Sequence, residues 1–268
     1  MAAEDAKFKL PDISTLAGAS LWIYLRAIVG RKVHPRYYLK IFITFLIILL
    51  SLPFRLYENL KFYLPLRRFQ MKKPPIFIIG HWRSGTTHLH NVLCKDPQAA
   101  YLTTYMSLFP EALGTKVIFK NFMRWVMPKK RPSDNVKLAV DFPQEDEFAL
   151  GNIHPYCYYY FFHFPFDYQE YYQDYVLFKG KEKIKKSWKK TYKHLISKSI
   201  MNTQGERAIF KNPVNTARIP ALLELFPQAR FIYIFRNPII VYLSTKKFFV
   251  ELFPTLQFQQ VSEEEISD

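Results

Sequence analysis

Residues 74–87 read PPIFIIGHWRSGTT, and this stretch decides the fold. A short uncharged run, Ile76–Ile79, bounded by a proline pair and a glycine, has the pattern of a buried parallel strand. The apolar periodicity that resumes through Leu93 predicts a helix, so Gly80–Gly85 is the loop of a strand–loop–helix unit. GxxxxG spacing at such a place turns successive backbone N–H groups inward as an anion nest, and the helix N-terminus adds partial positive charge. Thr86 and Thr87 bring hydroxyl donors to the same point. The chain has only eight glycines in 268 residues, and two of them stand here.

Working outward, a second strand is expected at Arg207–Phe210 (RAIF) and a third at Arg230–Phe235 (RFIYIF). Helices should follow over about 216–226 and from Pro238, a proline suited to a first helical turn. Alternating strands and helices predict an α/β protein with a central parallel sheet, a P-loop-type three-layer fold. We divide the chain into a basic N-terminal region at 1–73, a P-loop domain at 74–258 with an insertion at about 96–205, and an acidic tail at 259–268. Where open sheets bind ligands, at the carboxyl ends of strands, stand Arg236 and, two turns into the next helix, Ser244. One is a charge-assisted fork and the other a neutral donor, a fitting pair for a phosphate. A nucleotide kinase or hydrolase, the rival reading, carries a lysine after the second glycine and a strand carboxylate for Mg²⁺. Here the first position is Thr86, the basic residue is Arg83, and RAIF and RFIYIF offer no acid. The expectation is a metal-free anion site.

GHWRSGTT at 80–87 resembles the phosphosulfate loop of sulfotransferases, and RNPIIVYLS at 236–244 resembles their 3′-phosphate loop, with the same Arg–Ser interval. The likeness covers about residues 74–250 and is nearest the bacterial-type and tyrosylprotein-like branches. It implies a co-substrate, 3′-phosphoadenosine 5′-phosphosulfate (PAPS), and transfer of its sulfuryl group to an acceptor hydroxyl or amine of unknown class. It also implies that Arg83, Ser84, Gly85, Thr86 and Thr87 hold the phosphosulfate, and that Arg236 and Ser244 hold the 3′-phosphate. Lys211 takes the place of a lysine that approaches the transferring group. With Arg83 it would stabilise the charge that develops there. The base that other branches use is absent: Pro213, Thr103 and Thr104 occupy the matching positions. The candidates are in Pro143–Phe148 (PQEDEF), Glu145 first and Glu147 second, where crowded carboxylates would raise one another's pKa values. The plain alternative is the acid-rich first turn of a helix. Family members usually continue past the 3′-phosphate helix, whereas no glycine follows Gly205 here, so a truncated, non-catalytic relative is the other alternative.

The formal charge of +16 first points to nucleic acid. Its distribution does not, because residues 1–75 carry a net +9, residues 179–198 a net +8, and the rest a net −1. No nucleic-acid partner is therefore expected. The lysines of 181–200 lie on a helix whose Ile184, Trp188, Tyr192, Leu195, Ile196 and Ile200 form one apolar stripe, so they read first as a solvated face and second as a contact for acidic lipid or an acidic substrate. Residues 41–54 are uncharged and lie between basic flanks, a pattern that predicts association of 37–55 with an anionic membrane surface. The bland alternative is a buried helix. The twelve Phe or Tyr residues of 156–175 suit core packing first and an apolar acceptor pocket second. Cys94 and Cys157 have no metal-ligand spacing, which suits a reducing, cytoplasmic setting.

Overall fold

In the computed structural model, which describes residues 13–127 and 138–267, the central sheet is parallel and has the order β2-β3-β1-β4. The strands are β1 (Ile76–Ile79), β2 (Ala99–Ala100), β3 (Arg207–Lys211) and β4 (Arg230–Tyr233). Phe77 aligns with Phe210 on one side and Phe231 on the other, which makes β1 an inner strand. Phe77 and Ile78 are fully buried, as a strand covered on both faces requires. β4 stops at Tyr233, two residues short of the expected end, and β2 is an unexpected addition. A two-residue strand has no periodicity to read. The stretch 96–205 thus supplies a strand of the sheet as well as helices.

Each remaining strand feeds a helix. Thr86–Leu93 follows β1, Ile219–Leu225 follows β3, and Pro238–Leu256 follows β4. The last is capped by the Asn237 side chain, which accepts from the N–H of Ile239 at 2.9 Å, with proline at its first position. The lysine-rich helix, Glu182–Thr203, buries Trp188, Tyr192, Leu195, Ile196 and Ile200 as its stripe predicts. Most of the aromatic segment is core: Tyr159, Tyr160, Phe161, Phe162 and Phe164 are buried, and Phe161 and Phe162 meet Phe249 and Phe253 of the last long helix mainly edge to face.

The N-terminal apolar run is part of a much longer helix, Tyr38–Arg68, with Pro53 and Pro65 inside it. It is long and apolar enough to cross a membrane by length and composition. Its inward residues are Lys40, Thr44, Ile48, Ser51 and Glu58. Lys40 donates to the carbonyl of Thr255 at 2.6 Å, and Glu58 accepts from the Gly114 N–H at 2.7 Å and pairs with Lys198. These polar anchors hold the helix to the body well past the apolar run.

Candidate active site

The loop after β1 depends on two glycines for different reasons. At Gly80 (φ +132°) a Cβ would lie 2.2 Å from the Ile234 carbonyl oxygen, so only glycine lets the chain leave the sheet there. Gly85 (φ +97°) is the left-handed N-cap of the Thr86–Leu93 helix. Arg83 is also left-handed, at φ 65°. A non-glycine residue in this region is strained, and such strain concentrates at functional loops. Gly80 donates to Thr216 Oγ1 at 3.0 Å, which ties the loop to the turn after β3. The first N–H groups of the loop helix lack intrahelical acceptors by construction.

Arg83 Nε donates to Ser244 Oγ at 3.0 Å, and its guanidinium lies over the Phe248 ring. Arg236 donates to the Arg83 carbonyl at 3.3 Å. The structure therefore brings Arg83, Arg236 and Ser244 together, although 161 residues separate the first from the last. Ser84 and Thr86 are buried.

On the other side of the loop, Lys211, at the end of β3, donates to Thr87 Oγ1 at 3.3 Å and pairs with Glu145 Oε1. Glu145 Oε2 accepts from the Tyr159 hydroxyl, which in turn accepts from Trp82 Nε1 at 3.1 Å. Burial, and after it the charge of Glu145, push the Tyr159 hydroxyl well above its ordinary pKa, so it stays a donor. A chain of contacts thus runs from Trp82 of the loop through Tyr159, Glu145 and Lys211 back to Thr87 of the loop helix. Both Glu145 oxygens keep a second lone pair.

Glu147 is not brought to this cluster. It is fully buried and holds Arg218 through both oxygens, at 2.6 and 3.1 Å, while also accepting from Asn212 Nδ2 at 2.7 Å and the Tyr158 N–H at 3.1 Å. Burial alone would raise its pKa, but the guanidinium charge and these hydrogen bonds outweigh it and leave the pKa lowered. The carboxyl that is raised, to about 7, is Asp146 between them, chiefly by burial and partly by the charge of Glu147, against the Tyr192 hydrogen bond. Asp146 accepts from the Tyr192 hydroxyl and from Asn215 Nδ2. Glu145 is the N-cap of the helix Asp146–Ile153, with the other two acids in its first turn. The three consecutive carboxylates meet four partners from one stretch, Lys211, Asn212, Asn215 and Arg218. Sequence reasoning missed Trp82, Tyr159, Asn215 and Arg218. The only hint was that residues 211–218 (KNPVNTAR) carry cations and amides at the intervals of a tight turn.

His81 is exposed, with Nδ1 2.9 Å from the Trp82 carbonyl oxygen. His90 is buried, 3.1 Å from the Ile209 carbonyl oxygen, and burial with the Lys211 charge lowers its pKa to about 3. Among the described residues no cluster of three His, Cys, Asp or Glu side chains is placed to hold a metal ion. Cys94 and Cys157 are free and buried.

A parallel sheet whose inner strand β1 opens into a glycine-hinged loop, with arginines, a serine and a lysine gathered round that loop, defines a P-loop-like fold. The family model described as the sulfotransferase family matches residues 74–266. The chain belongs to that family. It is 33% identical over 239 residues to the omega-hydroxy-beta-dihydromenaquinone-9 sulfotransferase Stf3 of Mycobacterium bovis and, equally, to that of Mycobacterium tuberculosis, covering 85% of this chain. The chain spans 60% of the length of these curated relatives. Two solved structures share the fold. Sulfotransferase STF1 from Mycobacterium tuberculosis H37Rv has a TM-score of 0.62 and 17% identity, covering 87% of this chain and 64% of that one. Sulfotransferase STF9 from Mycobacterium avium has a TM-score of 0.57 and 20% identity, covering 74% and 51%.

Proposed function

We propose that this chain binds PAPS at the loop and transfers its sulfuryl group to a hydroxyl of an apolar acceptor, with Glu145 as the base. The observation that carries this reading is the Glu145–Lys211 pair, which is held against Thr87 at the mouth of the loop. The donor set suits a phosphosulfate: cations, hydroxyls and helix N–H groups surround the loop, and the Glu145 carboxylate beside it is paired with Lys211. Arg236 and Ser244 hold the 3′-phosphate, and Ser84, Gly85, Thr86, Thr87 and Arg83 hold the 5′ end. PAPS supplies an activated sulfuryl group, whose S–O bond to the 5′-phosphate breaks as the bond to the acceptor oxygen forms. Glu145 takes the acceptor's proton through a lone pair that neither Tyr159 nor Lys211 uses. Lys211 and the loop N–H groups take up the negative charge on the departing phosphate. Tyr159 and Trp82 fix the carboxylate's orientation. An apolar, hydroxyl-bearing acceptor is supported by the aromatic wall beside Glu145, where Phe148 and Phe162 each meet Tyr159 at 4.9 Å between ring centroids, and by the omega-hydroxylated menaquinone in the name of the relatives.

The test starts with binding of 3′-phosphoadenosine 5′-phosphate (PAP) by calorimetry, with and without Mg²⁺. Binding independent of Mg²⁺, weakened about tenfold or more by Arg83→Ala and by Arg236→Ala, is expected for lost charge-assisted contacts. Absent or Mg²⁺-requiring binding refutes the donor assignment. Glu145→Gln should keep PAP affinity and reduce transfer to an omega-hydroxylated isoprenoid quinone by roughly 10²–10⁴-fold. Full transfer by that variant removes Glu145 as the base.

A further inference from the structure

We infer that the Tyr38–Arg68 helix docks the protein on an anionic lipid surface, lying in the plane of the interface rather than crossing the bilayer. Of its five buried residues four are polar, Lys40, Thr44, Ser51 and Glu58, and the fifth is Ile48, while Ile41, Phe45, Ile47 and Phe54 pack half-buried against the core. The opposite stripe holds Leu39, Phe42, Leu46, Leu50, Leu60 and Leu64, each between 41% and 75% exposed. A helix on a water-bathed domain turns its apolar stripe inward. One that packs apolar residues inward and still lines its outward side with large apolar residues presents that second stripe to an apolar medium.

The anchors decide between lying and crossing. Lys40 is tied to Thr255, Thr44 Oγ1 accepts from the Ser14 N–H at 3.3 Å, and Glu58 is tied to Lys198 and Gly114. From Lys40 to Glu58 is roughly 27 Å at 1.5 Å per residue, close to the bilayer's hydrocarbon thickness of about 30 Å. A crossing helix would carry these polar anchors, the Glu58–Lys198 ion pair among them, and the body attached to them into hydrocarbon, where backbone and charge are costly. A helix in the interface plane immerses its outward stripe and leaves the body in water.

Charge selects the lipid. Between Asp12 and Asp96 the sequence holds thirteen Lys or Arg and a single acid, Glu58, which is buried. Lys32 and Arg36 are exposed before the stripe, and Lys61, Arg67 and Arg68 at its far end. Among the described residues the helix is therefore apolar in the middle, basic at both ends and free of exposed acids, which complements a negatively charged headgroup layer. Neighbouring elements add exposed apolar groups: Trp22 on the helix Leu21–Ile28 and Val29 just after it, and Val117 and Trp125 on the helix Lys116–Val126.

The inference is independent of the sulfuryl-transfer reading, and its test uses no donor or acceptor. The full chain is mixed with phosphatidylcholine vesicles with and without phosphatidylglycerol, at low and high salt, and its partition is followed by flotation. Binding to the anionic vesicles, weakened by salt, is expected. Leu46→Gln with Leu50→Gln should lower partition about tenfold or more, with an unchanged circular dichroism spectrum because both positions are exposed. Lys32→Glu with Arg36→Glu should remove the preference for anionic lipid. Alkaline carbonate should release the bound protein. No binding to anionic vesicles at low salt, retention after carbonate, or a face that proves to be a self-association surface (a dimer made monomeric by the leucine substitutions, with vesicles ignored) would each overturn the inference.

Discussion

Replacing Lys211 by Met tests the electrostatics of the site without needing an acceptor. The side chains of Lys211 and Glu145 are 1% and 11% exposed. In Lys211→Met the carboxylate keeps only the Tyr159 hydroxyl as a donor. Removing one partner of a buried pair costs about 3–5 kcal/mol, because the other charge stays buried without compensation. Glu145 retains a little solvent contact, so the lower end, about 3 kcal/mol, is expected. In a domain of this size that corresponds to a fall in melting temperature of very roughly 6–12 °C. Adding Glu145→Gln removes the stranded charge and leaves an amide oxygen for Tyr159. The double variant should then recover about 2 kcal/mol relative to the sum of the single variants. Urea unfolding of the four proteins at neutral pH, followed by tryptophan fluorescence, gives the cycle. A single-variant cost below about 1 kcal/mol, with additive effects in the double variant, would mean a solvent-screened contact of the surface kind. The paired lysine and carboxylate could then not serve as the preorganised centre argued above.

Two further tests address the scaffold. Asp146 has its pKa raised from the ordinary 3.8 to about 7 in the folded protein. Between those values the folded state holds a proton that the unfolded state has lost, so this group's stabilisation is complete below about pH 4 and declines as pH rises through about 7. The full decline is worth at most about 4 kcal/mol at 1.36 per unit. Asp146→Asn should flatten the profile between pH 4 and 8 in urea titrations, and an unchanged slope there would show that another group causes it. Gly80→Ala should destabilise by about 3 kcal/mol or more and reduce PAP binding, since the new methyl meets a carbonyl oxygen at 2.2 Å. Gly30→Ala is the control: φ is +83° but nothing lies within 4 Å, so about 1–2 kcal/mol is expected from backbone strain alone.

The loop, three strands and the helices after them are legible because each is local: β-branched runs, a glycine spacing, a proline at a helix start. Arg83, Arg236 and Ser244 are legible as motif residues, yet their direct contact depends on the adjacency of β1 and β4, which no spacing reveals. The acids of 145–147 illustrate the same limit more sharply. Composition marks the triplet, and mutual repulsion is a sound expectation, but it does not say which carboxylate meets which cation. Residues 211–218 decide that by curling so that Lys211, Asn215 and Arg218 face three consecutive carboxylates. The acid facing only neutral donors is the one whose pKa rises. Trp82 and Tyr159 are illegible as partners because they stand 77 positions apart and aromatic density alone reads as core.

The long N-terminal helix shows why an apolar run read in isolation misleads about its own length. Residues 41–54 fall short of a span, and the helix nonetheless continues to Arg68 because the body supplies partners for its polar side. Those partners also relate the helix to the site. Lys40 holds Thr255 on the helix that carries Ser244, and Gln257 Nε2 donates to the Tyr37 hydroxyl at 2.8 Å. The same Pro238–Leu256 helix packs Phe249 against Phe161 and Phe162, next to Tyr159 and Glu145. The outward leucines and the proposed base are thus mounted on one continuously packed scaffold. Such interiors are close to crystalline in density and transmit position rather than absorb it. If the stripe lies on a lipid surface, the height and tilt of Glu145 above that surface are fixed by this packing. An acceptor hydroxyl carried at the end of a long apolar chain would then meet the carboxylate at one defined distance from the headgroups. An acceptor series in which chain length varies while the hydroxyl terminus is constant should therefore show a sharp optimum on vesicles and a flat response in detergent.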